Sequence, residues 1–176
     1  MSASATAFAQ TAGEEPIITF KTNIYEQYGA ANAFHIVIGS DSETDYLDID
    51  AGLGAVSAEI EPWSVDNTGI TGGTAIPLNV SADGIVKIYG DPKLVNYFDA
   101  EGCYIDWIEL SACTNIEVIN LSHNELKGLD LSAQTKLFQA ELSDNTFSAA
   151  SPLKLGRGGH PIENHVGGRP APISAR

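Results

Sequence analysis

Up to about residue 90 the apolar residues come in short, β-branched runs that partly alternate with polar ones. These runs are PIITFKT (16–22), FHIVI (34–38), YLDID (46–50), AVSAEIE (55–61), AIPLNV (75–80) and GIVKIYG (84–90). Alternation at period two puts one set of side chains on a buried face and the other on a solvated one, so each run is predicted as a strand. Between them Gly52-Leu53-Gly54, Asn67-Thr68-Gly69 and Gly72-Gly73 supply the residues that tolerate positive φ in turns. No helix is expected. Residues 14–84 are predicted to form a small β-sandwich, and the strand around Ile85–Tyr89 is expected to lead into the next region and cap it.

From about residue 95 the period changes to 21. In IEVINLSHNELKGLDLS the residues Ile116, Ile119, Leu121, Asn124, Leu126, Leu129 and Leu131 fill L-x-x-L-x-L-x-x-N-x-L with a further leucine-spaced tail. Moved forward by one period the positions become Leu137, Ala140, Leu142, Asn145, Phe147, Ala150 and Pro152, and the last two are weak. Moved back they become Val95, Phe98, Ala100, Cys103, Ile105, Ile108 and Leu110, all apolar, with cysteine at the asparagine position. One such coil cannot bury its spaced aliphatics alone, so stacked neighbours are needed to build a continuous core. The predicted fold is therefore mainly β: a sandwich followed, over residues 85–153, by a short leucine-rich-repeat solenoid of about three coils.

The pattern also assigns faces. Asn124 and Asn145 fall where the backbone leaves the strand, and an amide there can satisfy peptide groups that no ladder reaches; Cys103 takes the same structural slot. The residues between the inward aliphatics point outward: Tyr97, Asp99 and Glu101, then Val118, Asn120 and Ser122, then Gln139, Glu141 and Ser143. Tyr97, Asp99, Glu101, Asn120, Gln139 and Glu141 are the candidate binding residues, suited to a basic protein patch or to a sugar stacked on Tyr97. Trp107 is also placed outward, as a ligand anchor or, by preference, as a contact with the N-terminal domain.

A net charge of −14 with nine Lys and Arg in all opposes binding to nucleic acid or to an anionic membrane. No apolar run approaches the roughly 18–20 residues of a membrane span. Cys103 and Cys113 lack the spacing of a metal or redox pair, and no cofactor is implied. The acidic run Asp41, Glu43, Asp45, Asp48 and Asp50 lacks the order of a calcium loop and reads as a solvated strand edge. His160 and His165 around Glu163 do not match a zinc motif, so no metal site is expected. Asn79-Val80-Ser81 and Asn120-Leu121-Ser122 match the glycosylation sequon. No nucleophile elbow or phosphate loop is present, and an acidic-site hydrolase would rest only on the abundance of carboxylates.

Two terminal stretches differ in kind. Residues 1–13, with Ala7-Phe8-Ala9 before Gln10, are read as a truncated export signal or a polar, alanine-rich leader. Residues 154–176 carry all three arginines and few large apolar residues, and are expected to be a disordered or non-native tail. The third coil would then end without a cap, leaving a sheet edge open to edge-to-edge self-association.

The run from Val95 to Phe147, preceded by Val86-Lys87-Ile88-Tyr89-Gly90-Asp91, resembles the internalin-like leucine-rich-repeat proteins of bacterial surfaces. The resemblance implies an exported or surface-bound chain, a β-rich module ahead of short repeats, and recognition or adhesion to a protein or glycan without catalysis. The alternative is a structural spacer that has no ligand of its own.

Overall fold

The computed structural model describes residues 14–41, 45–66, 69–148, 153–155 and 163–165. The leader 1–13, Glu43 and most of the stretch after 155 lie outside them. The fold is mainly β. In chain order the strands are β1 (Ile18–Thr22), β2 (Phe34–Gly39), β3 (Asp45–Asp50), β4 (Ala55–Ile60), β5 (Trp63–Asp66), β6 (Gly69–Gly72), β7 (Thr74–Leu78) and β8 (Ile85–Tyr89). They continue with β9 (Tyr97–Asp99), β10 (Ile105–Glu109), β11 (Val118–Asn120), β12 (Leu129–Leu131), β13 (Gln139–Glu141), β14 (Leu153–Leu155) and β15 (Glu163–His165). Every run predicted as a strand from its alternation contains one. The expectation of no helix is corrected by α1 (Ile24–Tyr28), a segment of five residues that is too short to show a helical period and is anchored by buried Ile24.

Two large sheets share the strands. One has the order β10-β1-β8-β3-β4 and the other β15-β13-β11-β9-β2-β7. In the first, Ile18, Phe20, Val86, Ile88, Leu47 and Ile49 point inward with almost no exposure, while Thr19, Lys21 and Lys87 point out. Each fully buried aliphatic or aromatic of this kind contributes about 1.5–3 kcal/mol relative to exposure. In the second sheet Ile36, Ile38 and Phe98 do the same. A single apolar cluster runs from Ile17 to Leu142 through both sheets.

The sheets do not respect a division at residue 84. β1 pairs antiparallel with β10, and β2 pairs antiparallel with β9, so the early strands and the 21-residue region share hydrogen bonds as well as a core. The alternation pattern is blind to this because it reports which face is buried, not which strand lies alongside.

Beyond β9 the pairing becomes parallel and in register: Tyr97 lies beside Val118, and Val118 beside Gln139, each step 21 residues long. Gly102, His123 and Asp144 recur at that spacing, all in the left-handed region at φ 63°, 55° and 53°. Glycine, histidine and aspartate are among the residues that tolerate it. One residue later the asparagines form a second series. Asn124 donates to the carbonyls of Ala100, Leu121 and Ser122 at 2.8, 3.1 and 3.2 Å and accepts from the Ile105 N–H at 2.9 Å. Asn145 repeats the set on Leu121, Leu142, Ser143 and Leu126.

Residues after 153, expected as an unstructured tail, supply two further strands. β14 pairs parallel with β12, and β15 pairs parallel with β13, so the edge of β13 is covered among the described residues. Lys154 Nζ reaches Asp130 Oδ2 at 2.8 Å and, with bonds from Ser132, pulls the Asp130 carboxyl down to about 2. A depressed folded-state value stabilises the fold above the ordinary aspartate range, and the gain is lost as pH falls through about 2. Lys154→Ala is expected to return the Asp130 titration, followed by carboxyl carbon NMR, toward the ordinary value of 3.8. Both side chains are exposed, so the stability change should be small.

Candidate functional site

The outward face of the six-stranded sheet is arranged in rows, because side chains on paired strands line up across the ladder. The first row runs Gly39, Tyr97, Val118 and Gln139, and the second runs Val37, Asp99, Asn120 and Glu141. In the first, Gly39, Tyr97 and Val118 are buried and Gln139 is half-buried. The β5–β6 hairpin folds over this row, with the Trp63 ring 5.5 Å from the Tyr97 ring. A side chain at position 39 would collide with Trp63, whose Cβ lies 2.6 Å from where a Cβ would stand. Glycine at this point of β2 therefore allows the indole to descend onto its neighbour. Tyr97 retains 6% exposure and Val118 none, which corrects the expectation that both face solvent and removes Tyr97 as a platform for a sugar.

The second row opens into a pocket of about 350 Å³ lined by His35, Val37, Asp99, Glu101, Gly102 and His123. Asp99 is held from three sides: the Tyr97 hydroxyl donates to Oδ2 at 2.8 Å, the Asn120 amide donates to Oδ2 at 3.3 Å, and the Glu101 N–H donates to Oδ1 at 2.9 Å. Asn120 also donates to Glu101 Oε2 at 3.1 Å, while its own Oδ1 accepts from the N–H and hydroxyl of Ser122. Glu101 Oε1 lies 3.8 Å from His123 Nε2, and His123 Nδ1 lies 3.2 Å from Asp144 Oδ2. His123, whose backbone is left-handed, thus sits between the carboxylates of Glu101 and Asp144. Two carboxylates on one apolar floor, Val37, with donors from neighbouring repeats fixing their rotamers, form a preorganised acceptor for a cationic group.

Burial holds a phenol and two thiols of the core in their protonated forms. Burial, then the Asp99 carboxylate, pushes the Tyr97 phenol well above its ordinary range. Burial, then Asp99 and Glu101, pushes the Cys103 thiol up to about 12, so it stays protonated at neutral pH. Its Sγ donates to the carbonyls of His35 and Glu101 at 3.4 Å, which ties β2 to the start of the ladder. Cys113 is buried and raised to about 12 in the same way, with Ile17 O as its partner.

No family model, curated protein or solved structure matches this chain.

Of the residues singled out from sequence, the structure brings Asp99, Glu101 and Asn120 together and puts Tyr97 directly behind them. Glu141 and Gln139 sit one strand further along, outside the pocket wall. Trp107 lies elsewhere, on β10 of the other sheet, 49% exposed and paired across the ladder with Lys21 of β1. His35, Val37, Gly102 and His123 were not foreseen. The repeat offered a signal for the last two, since both precede the amide slot by one residue, but β2 carries no mark of its pairing with β9.

Asp48 and Asp50 of the acidic run alternate with Leu47 and Ile49 along β3. Among the described residues no group of three ligating side chains is placed to hold a metal ion, and no helix is long and apolar enough to cross a membrane.

Proposed function

We propose that this chain is a non-catalytic recognition module of an exported or surface protein, and that it takes a lysine or arginine side chain of a protein partner into the Asp99–Glu101 pocket. The reading includes a leucine-rich-repeat solenoid of the internalin-like type, supported by the in-register 21-residue ladder and its asparagine series. The observation that carries the functional part is the pocket itself, whose two carboxylates are oriented by Tyr97 and Asn120 and stand on a protein of net charge −14. That charge draws basic partners from a distance and weakens with added salt. Between the two ligand classes the strand face first suggested, the covering of Tyr97 by Trp63 favours the basic protein at this site.

The test is capture of arrayed 15-residue peptides rich in Lys and Arg by the whole protein and by Asp99→Asn/Glu101→Gln. The isosteric double variant should lose at least about tenfold in affinity, as expected for removing charge-assisted bonds, with an unchanged melting temperature. Capture that survives the double change would move the site elsewhere. Absence of capture by the unaltered protein would favour a structural spacer.

A further inference from the structure

The five-stranded sheet has an outward face of its own, remote in the topology from the pocket. Trp107 lies on it at the edge strand β10, paired with Lys21 of β1, and Glu109 pairs with Thr19 two residues on. The pairing is irregular between Lys21 and Thr22, and such a bulge re-aims side chains at a sheet edge. Here it brings Asp106 beside Trp107, with Asp106 Oδ2 3.8 Å from Lys21 Nζ. Asp106 Oδ1 is buried and has no hydrogen-bond partner, while the Asp106 side chain as a whole keeps 24% exposure beside Lys21 at 41%.

On the opposite flank β12 lies against β10. The residue one period beyond Trp107 is Gly128, just ahead of β12. Trp107 is 49% exposed, with polar groups of both signs on its own sheet face.

That surrounding decides the class of ligand. An apolar peptide anchor would need an apolar rim to exclude water, and the rim here is Lys21, Asp106, Glu109 and Thr19. A pyranose ring needs the opposite: an aromatic plate for its C–H face, and donors and acceptors at the edge for hydroxyls that both give and take hydrogen bonds. We propose that Trp107, with Lys21 and Asp106, is a saccharide subsite that stacks one sugar ring of a neutral glycan. It is independent of the Asp99–Glu101 pocket.

The test is titration of the full chain with cellohexaose, chitohexaose, xylohexaose and mannohexaose, read by tryptophan emission and by calorimetry. A saturable blue shift with at least one of the four is expected. Trp107→Ala should abolish the emission change and weaken affinity at least about tenfold, while Trp107→Tyr should stay within a few-fold because a ring is kept. Asp106→Asn should weaken binding a few-fold, and Asp99→Asn/Glu101→Gln should leave it unchanged. No saturable signal with any of the four, or binding that survives Trp107→Ala at an unchanged melting temperature, overturns the proposal. A Trp107→Ala effect on basic-peptide capture alone would reassign the ring to a protein contact and overturn it equally.

Discussion

Replacing Asn124 by alanine is expected to destabilise the protein by about 3 kcal/mol or more and to lower its melting temperature by roughly 6–12 °C. Asn124 is buried and uses both ends of its amide, so its loss strands the Ala100 carbonyl and the Ile105 N–H, while the Leu121 and Ser122 carbonyls keep bonds from the Asn145 amide and the Gly102 N–H. A buried polar group left without a partner costs about 1–3 kcal/mol, and the two groups share whatever rearrangement the cavity permits. Asn124→Cys should recover part of the loss. Cys103, one period earlier, donates to the Glu101 carbonyl as Asn124 does to that of Ser122. Chemical denaturation of the three proteins checks both statements, and an alanine variant within about 1 kcal/mol of the parent would refute the first.

Phe98→Ala should cost about 3–5 kcal/mol, the usual range for emptying a large aromatic from a packed interior. Phe98 has no exposure and sits in the register between Ile38 of β2 and Ile119 of β11, both fully buried. β9 is therefore the strand where antiparallel pairing on one side meets parallel pairing on the other. Because the apolar cluster is continuous across that strand, unfolding of parent and variant is expected as one transition. Near-ultraviolet dichroism, to which the close Trp63–Tyr97 pair contributes, should change together with backbone dichroism. Separate transitions would mean that residues 14–84 and the later strands fold as independent units.

The sequence made some of this legible and concealed the rest for physical reasons. The period of 21 was readable because each 21-residue unit makes the same demands at the same offsets, so the chain repeats its solution three times. β1, β2, β3, β4, β7 and β8 were readable because a half-buried strand must alternate. The pairing of β1 with β10 and of β2 with β9 left no trace, since period two records a face and not a neighbour. The fate of Tyr97 was hidden for a related reason: it depends on a missing side chain at Gly39 and on a hairpin that begins at Trp63. Asp99 and Glu101 were found because they belong to the repeat. His35 and Val37, the other wall of their pocket, come from a strand distant in sequence.

The shared register of β9, β11 and β13 also bears on how such a chain changes length over generations. Each strand addresses only the strands immediately beside it, and the amide series, the left-handed corner and the inward aliphatics all return after the same interval. Duplication of 21 residues anywhere between Asn124 and Asn145 would insert a fitting rung without altering a contact at the β2–β9 end. The length of the ladder could then be adjusted by gene duplication while the Asp99–Glu101 pocket, held at its fixed end, stayed as it was.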